Sequence, residues 1–197
     1  MIYRYIDLIE KYKNYKNSKA KIQREIADGK YYKIIRGLYT DDLSINGYLV
    51  ANFIVQPSYL SFEYALSKYG LIPEKVVTYT SATTLTKHNK LYKTIVGDFS
   101  FTDVPIEVWP LGIKLYTEND YTYLLATPEK ALCDLLYKTT PVSNVNQLKD
   151  LIFNDFRIDE QMFYKLNKND IILLCGYYKR KNLKLLNKML VDGENYE

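Results

Sequence analysis

Cysteine, tryptophan and histidine are scarce in this sequence: its 197 residues hold two, one and one. Cys133 and Cys175 sit in apolar contexts (ALCDLLY and ILLCGYY), without a CxxC pair or a Cys/His cluster. A structural zinc or a disulfide framework is therefore not indicated, and two buried, reduced thiols are expected. No apolar run approaches the ~18 residues of a membrane span. Arg4, Asp7 and Glu10 interrupt the first residues, so no secretory-signal core is read there and a cytoplasmic protein is expected. There is no Gly-rich phosphate loop and no G-x-S-x-G. The lone histidine, His88, lies in a polar stretch, TTLTKHNK, that reads as loop without a nucleophile near it in sequence. Asp98, Asp103, Glu107 and Asp120 could supply a metal-dependent nuclease, but they fall in loops and turns, where acids are common. No cofactor is implied, and the expectation is a protein that is not an enzyme.

The composition, 47% hydrophobic and 25% charged, is that of a folded globular chain, and the length suits one large domain or two small ones. The 21 tyrosines and the excess of lysine over arginine follow AT-rich codon usage, so they are not read as a platform for stacking bases. The net charge of +4 is unevenly distributed. Residues 1–40 carry ten basic and four acidic side chains, and 41–176 are mildly acidic. Residues 177–190 hold Lys179, Arg180, Lys181, Lys184 and Lys188 with no acid. Two basic segments flanking an acidic middle suggest a polyanion touched from two places.

Periodicity predicts an amphipathic helix over 2–13 and a second from Asn17 or Ser18 to about Asp28, ended by Gly29. Ile22 and Ile26 are its buried pair, and Asn17, Ala20, Lys21 and Arg24 face the other way. KYYKIIRGLY, residues 30–39, reads as a short two-stranded element turning at Gly37. Helix, break, short basic helix and basic hairpin is the order of a small winged helix-turn-helix, here with two clear helices instead of three. Helices over 45–55 and 59–69 follow. Strands at 76–84, 92–101, 104–109, 111–116 and 121–126 read as an antiparallel sheet. Thr127-Pro128 starts a helix through Tyr137, and the rest reads as helices at about 144–155, 158–166, 168–176 and 179–190. The fold class is thus α+β: a winged helix-turn-helix over 1–40, then a mixed domain over 41–197 with an antiparallel sheet at about 76–126 and helices at about 127–190.

Three ordered motifs, RGLY, QPSYLSFEYALSKYGLIPE and ATPEKALCDLLY, make residues 20–140 resemble the AbiEi-type antitoxins of type IV (abortive infection) toxin–antitoxin systems. The family's common histidine before G-L-I is Tyr69 here. The resemblance implies a DNA-binding autorepressor of its own operon. It also implies an antitoxin that opposes a nucleotidyltransferase-like toxin without requiring a stable complex, the domain after the winged helix serving antitoxicity.

The candidate DNA contacts are Asn17, Ser18 and Lys19 at the start of the second helix, Lys21 and Arg24 on its outer face, and Lys33 and Arg36 on the wing. Arg180, Lys181, Lys184 and Lys188 form a basic stripe on the last helix, whose other side carries Leu183, Leu185, Leu186, Met189 and Leu190. The expected partners are operator DNA and the toxin, not a membrane. The alternative is a protein-interaction module that grips an acidic partner through this last helix without binding DNA.

Overall fold

The computed structural model describes residues 1–85, 89–118 and 120–193; the loop read around His88 lies outside the described residues. The fold is α+β. The first forty residues form β1 (Ile2–Arg4), α1 (Tyr5–Lys11), α2 (Ser18–Ala27), β2 (Tyr32–Ile35) and β3 (Leu38–Thr40). The strands make an antiparallel sheet in the order β1-β3-β2. Residues 2–4, expected to open the first helix, instead pair with residues 38–40. A partner strand distant in sequence satisfies their backbone groups, and tertiary pairing overrides local periodicity. Gly37, at φ +85°, makes the β2–β3 turn in a conformation that favours glycine.

Leu8, Tyr12, Ile22 and Tyr31 form a small buried cluster between these helices and the sheet. Ile34 and Leu38 belong instead to the main core. The register shift between Lys33 and Ile35 lies at Ile34, and a bulge of this kind redirects a side chain. The main-chain amide of Ile2 donates to the Tyr121 hydroxyl at 2.8 Å, and Arg4 donates to the side-chain oxygen of Gln56 at 2.8 Å.

The body contains α3 (Gly47–Ile54), β4 (Ser58–Leu60), α4 (Phe62–Lys68), β5 (Tyr79–Thr83), β6 (Lys90–Thr94), β7 (Gly97–Asp103), β8 (Ile113–Glu118), β9 (Tyr121–Ala126) and α5 (Pro128–Lys138). Its six strands run in the order β6-β7-β5-β4-β9-β8. The sheet is mixed, not antiparallel as expected, because β4 pairs parallel with β9 and β5 parallel with β7. The residues of β4, which local sequence reads as the start of a helix, extend into the sheet centre, and the helix starts after Ser61. Segment 92–101 is not one strand, since Thr94 and Gly97 pair across a turn between β6 and β7. Segment 104–109 is not a strand either, and Ile106–Val108 forms a 3-10 turn after Pro105, which has no amide to donate.

Side chains alternate across a strand. Ser58 faces α3, where Asn52 donates to its hydroxyl at 3.3 Å. Its neighbour Tyr59 points to the other face and donates to Asp134 of α5. Thr127 caps α5 by accepting from the Lys130 amide, with Pro128 in the first turn. Residues 129–136 are all buried, making α5 the central helix. Behind it lie α6 (Val145–Asp150), a π-helical segment at Leu151–Asp155, α7 (Glu160–Tyr164), α8 (Lys168–Tyr177) and α9 (Lys181–Gly193). Of these, α9 packs on α5, α6 and α8. Among the described residues no helix is long and apolar enough to cross a membrane.

Candidate nucleic-acid interface

The turn between α1 and α2 is built from polar side chains. Asn17 accepts from the Ala20 amide at 3.0 Å, the cap expected of it. Ser18 donates to the carbonyl of Tyr12 at 2.9 Å, tying the start of α2 to the end of α1. Both groups therefore hold the turn, and the Ser18 hydroxyl is already engaged. Lys19 follows, exposed.

On α2, Ile22 is fully buried and Ile26 half-buried. Glu25 is buried between them, which periodicity alone did not indicate. It pairs with Lys21 one turn earlier and with Lys30 at 2.7 Å, and accepts from the Tyr12 hydroxyl at 3.2 Å. Hydrogen bonds from Lys21 and Lys30 pull its carboxyl from 4.5 down to about 2. Lys21, expected to face outward, has a side chain only 24% exposed and also covers the Tyr15 ring at 5.4 Å. The missed signal was the i, i+4 spacing of Lys21 and Glu25. Arg24 is exposed and makes no ion pair among the described residues, with exposed Gln23 beside it. Lys33 on β2 and Arg36 at the β2–β3 turn are likewise exposed. Among the described residues, Lys19, Arg24, Lys33 and Arg36 thus remain as exposed cations outside any ion pair.

The second basic surface is on α9. Lys181, Lys184 and Lys188 are exposed, and Leu183, Leu186 and Leu190 are buried. Asn182 fixes the rotation of the helix, a role not foreseen. Its amide nitrogen donates to the carbonyls of Leu136, Thr139 and Thr140, and its oxygen accepts from the Val142 amide at 2.9 Å. Arg180, just before the helix, lies over the Tyr137 ring at 5.1 Å.

The two basic surfaces are separated by the sheet. Tyr121 anchors Ile2 and meets Phe53 of α3 at 6.4 Å between ring centroids, so the N-terminal module docks on the α3 side. The last helix lies behind α5, on the other face.

The two motifs of the body meet in a third polar cluster. Lys130 and Asp134, one turn apart on α5, are fully buried with 3.4 Å between their charged atoms. The Lys130 ammonium donates to the Val108 carbonyl at 3.0 Å and to the Tyr178 hydroxyl at 2.6 Å. Asp134 accepts from Tyr59 at 2.9 Å, from Ser61 at 2.7 Å and from Tyr178. Burial pushes the Lys130 ammonium below its ordinary pKa against the pull of Asp134, and pushes the hydroxyls of Tyr59 and Tyr178 up. All five side chains are enclosed, so the cluster joins segments of the fold instead of receiving a ligand. Phe62, directly after Ser61, is held at φ +56°, a rare conformation for an aromatic residue.

Among the described residues no three His, Cys, Asp or Glu side chains come together as metal ligands. No protein-family model matches the chain, and no curated protein matches it.

Proposed function

We propose that the chain is a DNA-binding repressor of its own operon and an antitoxin of the type IV, abortive-infection kind. In this reading the N-terminal module works as a two-helix winged helix-turn-helix. Helix α2 lies in the major groove and the β2–β3 hairpin rests on the phosphate backbone. The observation that carries it is the set of four exposed cations, Lys19, Arg24, Lys33 and Arg36, on these two elements, none in an ion pair among the described residues. Like charges clustered on one small module repel one another, and a polyanion relieves that cost. The antitoxin role, against a nucleotidyltransferase-like toxin, rests on the resemblance of the three motifs.

Fluorescence anisotropy on the DNA upstream of the gene tests the first part. With three to four phosphates neutralised per module, log K should fall against log salt with a slope of about −3 to −4. Arg24→Ala should cost about 1–3 kcal/mol and relax discrimination at one base pair, and Lys33→Ala should weaken operator and random DNA alike. Lys21→Ala should affect DNA affinity less than either, because its charge is already engaged by Glu25. A flat salt dependence refutes the duplex reading. Co-expression with a nucleotidyltransferase-like protein encoded beside the gene tests the second part: restored growth supports it, and continued growth arrest overturns it.

A further inference from the structure

A groove of about 340 Å³ opens where the 3-10 turn, the end of α5 and the α8–α9 link meet, lined by Pro105, Glu107, Tyr137, Tyr177, Lys179 and Arg180. Lys179 also lines a neighbouring groove of about 420 Å³, whose walls include Cys175, Gly176, Lys184 and Asn187. We propose that these adjoining grooves bind unpaired nucleotides of a single-stranded nucleic acid, a site separate from the duplex surface of the N-terminal module.

Size, charge and shape converge on this occupant. Each groove has the volume of a small-ligand site, and two grooves sharing one lysine suit successive units of a chain better than an isolated small molecule. Tyr177, a flat ring 44% exposed, lines the first groove. Tyr137 supports the guanidinium of Arg180 at 5.1 Å, giving a second flat surface. Bases stack on tyrosine rings and on guanidinium planes alike. Among the described residues Lys179, Lys181 and Lys184 have no carboxylate within ion-pair distance, which leaves them to meet phosphates. Glu107 decides between polyanions. A carboxylate in the groove wall repels an acidic peptide, but it accepts a hydrogen bond from a base's exocyclic amino group. Paired bases are hidden inside a duplex, so only an unpaired strand presents its faces to Tyr177. The sheet standing between this surface and the N-terminal module argues against one duplex spanning both.

The test uses the full chain and fluorescently labelled 12-nucleotide DNA and RNA strands without self-complementarity, with polyglutamate as competitor. At least one strand should bind, with affinity falling as salt rises. Tyr177→Ala should weaken that binding about five- to a hundredfold. Tyr177→Phe, which keeps the ring, should stay within about twofold. The double variant Lys179→Glu, Lys184→Glu should lose binding, with circular dichroism confirming that each variant is folded. Arg24→Ala with Lys33→Ala should leave single-strand binding intact, so failure of the duplex reading and failure of this one are told apart. The proposal is overturned if neither strand binds, if polyglutamate competes as well as an unlabelled strand, if Tyr177→Ala changes nothing, or if the N-terminal variants abolish single-strand binding.

Discussion

Replacing Lys130 by methionine isolates the buried cluster. Methionine fills the same volume without charge, so Asp134 would keep Tyr59, Ser61 and Tyr178 as donors but lose the ammonium paired with it. Leaving one charge of a buried pair without its partner costs about 3–5 kcal/mol. Native domains are stable by only about 5–15 kcal/mol, so a third or more of the total is at stake. Trp109, the only tryptophan, lies 5.1 Å from the Tyr59 ring and reports on this region, so urea unfolding followed by its fluorescence measures the loss. Adding Asp134→Asn to Lys130→Met removes the stranded charge while keeping an acceptor for Ser61 and the tyrosines, and the double variant should be more stable than Lys130→Met alone. A Lys130→Met protein within about 1 kcal/mol of wild type, or two substitutions whose costs simply add, would refute the argument.

Two further predictions concern pH. Glu25 has its carboxyl depressed to about 2 in the folded chain against 4.5 ordinarily. The stability it contributes is therefore present above 4.5 and lost as the pH falls toward 2, and urea midpoints should drop in that window less steeply for Glu25→Gln than for wild type. At the alkaline end, burial and then the Glu118 carboxylate raise Tyr48 from 10.0 to about 12, and burial and then Tyr31 raise Tyr12 to about 12. A folded state that holds these protons longer than the unfolded chain loses stability as the pH rises above 10. Ultraviolet titration should show a group of tyrosinates appearing only with unfolding, and full reversible titration of all 21 near pH 10 would refute this.

Local chemistry made much of the fold readable. The Thr127-Pro128 start of α5, the turn at Gly37 and the two-sided last helix all follow from capping, glycine freedom and helical period; the first two fall where expected, and the last helix runs two to three residues further along the chain. What escaped reading depends on partners distant in sequence. Ile2–Arg4 is a strand only because residues 38–40 lie beside it, and the parallel pairing of β4 with β9 brings together residues 60 and 125. At the N-terminal surface the exposed positions Lys19, Arg24, Lys33 and Arg36 were legible, whereas the turning-in of Lys21 required knowing that Glu25 is buried. Lys130 and Asp134 have the spacing of an ordinary surface ion pair; only Tyr59, Ser61 and Tyr178, arriving from elsewhere in the chain, close them off.

That closure has a consequence for synthesis. Asp134 receives its last donor from position 178, so the chain must be made well past α5 before the pair in that helix is fully satisfied. The cluster of Leu8, Tyr12, Ile22 and Tyr31 closes within the first forty residues. The hairpin that carries Lys33 and Arg36 is seated later, because Ile34 and Leu38 pack into the core of the body. A chain clipped ahead of Tyr178 forfeits both the seal over its buried charges and the cationic grooves beside it.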